Sequence, residues 1–273
     1  MAETTGISWT DSTWNPWIGC TKISPACDGC YAERDMANRL KVVQWGARQP
    51  RKRTSEANWR QPLKWQAQAA DFMAAHGRRQ RVFCASLADV FDNEVDPAWR
   101  LDLFKVIAAT PDLDWLLLTK RIGNVAKMLG DYSTVPLLPN IWLGITVVNQ
   151  AEADRDIPKL LAVPARVRFL SMEPLLGPVD LRFHLYSEPT GRWRTHGGKR
   201  QMELQRPADG GLHWVIVGGE SGPKARPMTL EWVENIRQQC EDQGVQFFFK
   251  QWGGWGADGK RRSKKANGGR FID

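Results

Sequence analysis

Histidine and cysteine are scarce in this 273-residue chain, at four and five residues, and long apolar runs are missing. The scattered histidines offer no Ser-His-Asp arrangement and no H-E-x-x-H run. A Walker sequence and G-x-G-x-x-G are also absent, which disfavours those modes of nucleotide binding. No stretch approaches the roughly 20 apolar residues that span a bilayer. The start, "MAETTGISWTDSTWN", has neither the basic region nor the apolar run of a secretory signal, so a cytosolic protein is expected. A reducing cytosol disfavours structural disulfides, and five cysteines cannot all pair within one chain.

What is present is a 42% hydrophobic composition, enough for a sizeable core, and a net charge of +8. Residues 253–273 hold six Lys or Arg against two Asp, so half of the excess lies in that segment. Basic chains favour polyanionic partners, and fourteen tryptophans could stack on bases or simply fill the core.

Nearly continuous apolar runs at 81–91, 114–121, 140–149, 166–176, 213–221 and 245–253 read as parallel strands covered on both faces. Segments 96–110, 149–162 and 229–244 open near capping residues and carry apolar positions three or four apart, so they read as helices. With a further strand before Cys20, six or seven strands alternate with helices, predicting a partial or complete (β/α) barrel over residues 1–256. Residues 41–80 form an excursion and 183–212 a polar insert, while 257–273 is expected to be a flexible basic tail.

Active sites of such barrels lie at the carboxyl ends of the strands. Those ends carry Ser86, Asp89, Lys120, Arg121, Thr146, Asn149, Glu173, Gly218, Gly219, Glu220, Lys250 and Gln251. Glu173 could receive an amine or pair with a buried cation, and Lys120 and Lys250 could meet a carboxylate or phosphate or pair with Asp89 and Glu173. The cysteines of "GCTKISPACDGCYAE", Cys20, Cys27 and Cys30, leave the same rim. Structural zinc would need a fourth ligand, which only Cys84 could supply from the next strand; three thiolates on a cubane cluster instead leave one iron open.

Taken together, "TWNPWIGCTKISPACDGCYAE", "LLLTKR", "FLSMEPLLGPVDL", "VIVGGESGPKARPM" and "FFFKQWG" resemble a phage-type three-Cys-motif family of unknown function, found in bacteriophages and prophages. That family is regarded as similar to radical S-adenosylmethionine (SAM) enzymes. The resemblance implies a 4Fe-4S cluster on Cys20, Cys27 and Cys30, SAM chelated at the open iron, and a 5′-deoxyadenosyl radical that abstracts hydrogen from the substrate. Ser86, Asn149, Glu173, Gly218, Gly219 and Glu220 are then candidates to hold the cofactor, and Glu173, Lys120 and Asp89 candidate catalytic groups, on their strand-end positions. Three features depart from the common pattern. The first cysteine gap is six residues instead of three, an aromatic residue follows the last cysteine as Tyr31 instead of preceding it, and the G-G-E comes on a late strand.

The expected substrate is a nucleic acid base or nucleotide, supported by the basic stretches at 51–53 and 78–81. A reductase or flavodoxin-type protein is the expected electron donor. The alternatives are a non-catalytic nucleic-acid-binding protein with zinc on Cys20, Cys27, Cys30 and Cys84, or a divalent-metal nuclease or lyase using Asp89, Glu173 and Glu220.

Overall fold

A computed structural model of the protein describes residues 5–130, 138–185, 188–196, 199–205 and 211–267. Two short strands, β1 (Ser12–Thr13) and β2 (Trp17–Ile18), precede the cysteine loop. A π-helix (Glu33–Arg39) follows it, then β3 (Lys52–Arg53) and three short helices, α1 (Glu56–Trp59), α2 (Gln61–Ala67) and α3 (Ala69–His76). The alternating part runs β4 (Gln80–Cys84), α4 (Pro97–Ala108), β5 (Leu113–Thr119), α5 (Ile122–Leu129), β6 (Ile141–Thr146), α6 (Gln150–Leu161) and β7 (Val167–Met172). After α7 (Arg182–Leu185) and the hairpin β8 (Glu188–His196) and β9 (Lys199–Gln205) come β10 (Trp214–Gly218), α8 (Leu230–Asp242), β11 (Gln246–Trp255) and β12 (Arg261–Asn267).

The helix starts follow local chemistry. Asp96 accepts from the Ala98 amide with Pro97 in the first turn of α4, and Asn149 and Thr229 cap α6 and α8 by accepting from Glu152 N and Trp232 N. The main sheet has the order β1-β4-β5-β6-β7-β10-β11-β12. Its first seven strands are mutually parallel and β12 is antiparallel to β11. Since β1 and β12 form opposite edges, the barrel is partial rather than closed.

Period-two alternation divides each strand between two cores. Val82, Leu117, Leu170 and Val217 face the side covered by Leu103, Ile107, Ile157 and Ile236 of the helices. Phe83, Leu116, Phe169 and Ile216 face the other, where Trp9 closes the space at 4.7 Å from the Phe83 ring and 6.3 Å from Phe169. Burial on both faces explains the unbroken apolar runs, each such side chain contributing about 1.5–3 kcal/mol. Trp9, Trp14, Trp17, Trp65, Trp115, Trp214 and Trp252 are all buried, so these seven are packing residues. Among the described residues no helix is long and apolar enough to cross a membrane.

Two stretches differ from the sequence reading. The 41–80 excursion holds α1–α3, and its β3 pairs with β2. Residues 261–267, expected in a flexible tail, form β12; backbone pairing to the β11 edge needs no apolar side chain, and four basic residues in seven suit an edge strand. Of that tail, 268–273 lie outside the described residues, as do 186–187, 197–198 and 206–210 of the insert.

Candidate functional site

The cysteine loop is tied to three parts of the rim. Ser24 accepts from Ala26 N to start the 3-10 turn Pro25–Cys27, and its hydroxyl donates to Glu152 Oε1 at 2.6 Å on α6. Tyr31 donates to the Ser86 carbonyl at 2.8 Å, just beyond β4. Arg226 donates to Pro25 O (2.9 Å) and Asp28 Oδ2 (3.1 Å) while its guanidinium also engages both carboxylate oxygens of Glu220. Gly29 packs directly on that carboxylate: a Cβ there would stand 2.5 Å from Glu220 Oε1. Cys30 lies one turn before the π-helix, its carbonyl accepting from Arg34 N.

Cys27 is buried, and Cys20 and Cys30 are half-buried. Arg121 Nη1 donates to Cys20 Sγ at 3.4 Å and its Nη2 to Thr21 O at 2.7 Å. Burial, and then the nearby Asp89 charge, push the Cys20 thiol up to about 11 against the pull of Arg121, so loading a metal group there must release a proton. Cys84 lies elsewhere, fully buried in the apolar core with its thiol pushed up by burial alone, and does not suit a fourth zinc ligand. Among the described residues no three His, Cys, Asp or Glu groups converge tightly enough for a single metal ion. A cubane cluster would place each thiolate on a different iron, so its three ligands need not converge on one point, and three thiols are the donor type it requires.

Asp89 is a structural hub. It accepts from Thr119 Oγ1 (2.7 Å), Lys120 N (3.0 Å), Phe91 N (3.0 Å) and Arg121 Nη1 (3.1 Å), leaving little capacity for a substrate. Next to it the fully buried Arg51 pairs with Asp92 at 2.7 Å. The Lys120 ammonium has no hydrogen bond or ion pair among the described residues.

At the other end of the rim Glu173 and Lys250 form an ion pair at 2.8 Å, with side chains 14% and 22% exposed. Ser171 donates to Glu173 Oε2 at 3.2 Å, and Gly218 gives the carboxylate room, since a Cβ there would lie 2.8 Å from Glu173 Oε1. Beside Ser171 in register, the Thr146 hydroxyl is buried without a partner among the described residues. Buried hydroxyls are ordinarily hydrogen-bonded, so the Thr146 hydroxyl has capacity for one more polar atom.

The remaining predicted residues have structural contacts. Gly219 lets β10 approach β11, because a Cβ would overlap the Trp252 carbonyl; its amide donates to Gln251 O. Burial raises the Glu220 carboxyl but Arg226 outweighs it, holding the group below the usual carboxylate range. Asn149 is the α6 cap, and Ser86 is bound by Asn15. The three rim carboxylates are thus separate ion pairs, Asp89 with Arg121, Glu173 with Lys250 and Glu220 with Arg226. The basic stretches are also engaged: Arg53 pairs with Asp102 and lies over Trp59, Arg78 pairs with Asp11, and Arg81 lies over Trp142 and Trp214.

Arg121 and Arg226 had no role assigned from sequence. Their partners are 101 and up to 201 residues away, so no local pattern announces them. A family model described as "Protein of unknown function (DUF5131)" matches residues 4–273. No curated protein and no solved structure matches the chain.

Proposed function

We propose that the chain, which belongs to this family of unknown function, is a radical-SAM-like iron–sulfur enzyme acting on a nucleic acid base or nucleotide. The observation that carries the reading is a three-cysteine loop following the first strand of a partial barrel, at the strand-end rim, with the Arg121 guanidinium aimed at Cys20. Cys20, Cys27 and Cys30 would hold a 4Fe-4S cluster. With SAM bound, the cluster would supply one-electron reduction of the sulfonium, the chemistry that yields a 5′-deoxyadenosyl radical.

The protein's own residues bind and position. Arg121 favours the thiolate of Cys20 against burial and Asp89. Glu173, Lys250, Ser171 and Thr146 offer a carboxylate, an ammonium and hydroxyls to the amino and carboxylate groups of an amino-acid-type cofactor. Glu220 and Arg226 fasten the loop. The nucleotide half of the reading rests on the net charge of +8, which favours a polyanion. A reductase or flavodoxin-type protein would supply electrons.

The test is iron, acid-labile sulfide and zinc per chain in protein reconstituted without oxygen, with Cys30→Ala as control, followed by 5′-deoxyadenosine formation with dithionite and SAM. About four irons, as a cubane cluster requires, lost in the control and accompanied by 5′-deoxyadenosine, support the reading. One zinc and no iron overturns it.

A further inference from the structure

Behind the cysteine loop, the π-helix and the 41–49 loop form an open groove of about 710 Å³. Asn38, Lys41, Gln44, Trp45 and Gln49 line it. Unlike the seven buried tryptophans, Trp45 is half-exposed, and among the described residues it has no ring or hydrogen-bond partner. The amide groups of Asn38, Gln44 and Gln49 also lack hydrogen-bond partners among the described residues. Glu33 is the one acid among the groove residues, and its charge is met by Lys22 at 2.7 Å.

The loop is built to hold its shape. Lys41 and Arg48, both exposed, adopt left-handed backbone at φ 50° and 59°, a conformation that non-glycine residues keep only where their surroundings impose it. Arg51 brackets the second of them: its guanidinium donates to Gly46 O (3.0 Å), Gln49 O (2.9 Å) and Thr21 Oγ1 (2.7 Å) while pairing with Asp92. Gly46 N donates to Cys20 O at 3.0 Å, fixing the groove to the cysteine loop. Lys41, which lines the groove, and Arg48, which precedes the lining residue Gln49 in the chain, have side chains without an ion pair among the described residues, although the Arg48 amide donates to Glu94 Oε1 at 3.1 Å.

We propose that this groove binds single-stranded nucleic acid, stacking a base on Trp45, reading its edge with the three amides and meeting the backbone with Lys41 and Arg48. An aromatic face, uncommitted amides and unpaired cations together match the chemistry of an unpaired nucleotide. The inference rests on the reading that the substrate is a base or nucleotide, and it locates where the strand is held.

The test is fluorescence anisotropy of a short labelled single-stranded DNA with the full chain, before and after cluster reconstitution. Trp45→Ala should weaken binding about tenfold, the loss of one stacked base. The double variant K41Q/R48Q should lower the slope of log K against log salt by about 1.4, two phosphate contacts on a single strand. Thermal melting accompanies each variant; should Trp45→Ala fail to fold, the exposed double variant carries the test. Wild-type binding by every folded variant, or a duplex or free mononucleotide binding as tightly as the single strand, overturns the proposal. The two readings fail separately. Zinc without iron but with groove-dependent binding sinks the radical chemistry alone, whereas a full cluster with variants that bind normally sinks the groove.

Discussion

The two ends of the strand-end rim are built to different standards. Under the cysteine loop, Asp89 collects four donors, and Arg51, Asp92 and Arg121 are all buried beside it. At β7 and β11, Glu173 and Lys250 hold one another with a single hydroxyl in support, and the neighbouring Thr146 hydroxyl has no partner among the described residues. A carboxylate whose acceptor capacity is used up is scaffold. One held by a single exchangeable cation can take a ligand at modest cost, since the pair is partly solvated. By this criterion Asp89 moves from the catalytic candidates to the framework, and Glu173 stays.

Removing the hub charge should have the largest effect. Asp89→Asn leaves the Arg121 guanidinium buried with reduced compensation and should cost about 3–5 kcal/mol in urea unfolding; a loss below about 1 kcal/mol would erase the distinction between the two ends. Gly219→Ala forces a methyl against the Trp252 carbonyl and should cost about 1–3 kcal/mol, because a strand cannot shift as a side-chain tip can. On the proposed function, Glu173→Gln should cost only about 1 kcal/mol in the same measurement while lowering 5′-deoxyadenosine formation about tenfold, as the loss of one charged hydrogen bond to the proposed cofactor would. Equal effects on stability and turnover would make Glu173 framework too.

The smallest expected effect is at the opposite end of the strands. Burial raises the Asp11 carboxyl, but Arg78 and the Arg81 amide outweigh it, so its folded value lies below the ordinary 3.8. Its stabilisation is therefore complete above that value and is lost as pH falls through the folded one. Because solvent screens this pair, Asp11→Asn should remove about 0.5 kcal/mol at neutral pH and flatten the stability profile below about pH 4. An unchanged acid limb in urea titrations would exclude Asp11 as its source.

The alternating strands were legible because both faces are buried, leaving long apolar runs ended by polar residues. The run read at 114–121 is Leu113–Thr119, and the helix read at 229–244 is Leu230–Asp242. Strand β12 was not legible, since edge pairing is a backbone property and "RRSKKAN" carries no apolar signal. Within the site, sequence located residues at the rim but not their contacts. Thr119 and Arg121 are two positions apart, both meet Asp89, and nothing in "LLLTKR" distinguishes that from two groups facing a ligand.

The π-helix at Glu33–Arg39 acts as a phase setter between cysteine loop and groove. Each of its turns takes up about one residue more than an α turn, which shifts the angular phase of the chain after Arg39 relative to Cys30. Deleting a single residue there should let the segment relax toward α-helix and turn Lys41 and Trp45 about the axis, separating the proposed strand-binding groove from the proposed cluster site without touching a cysteine.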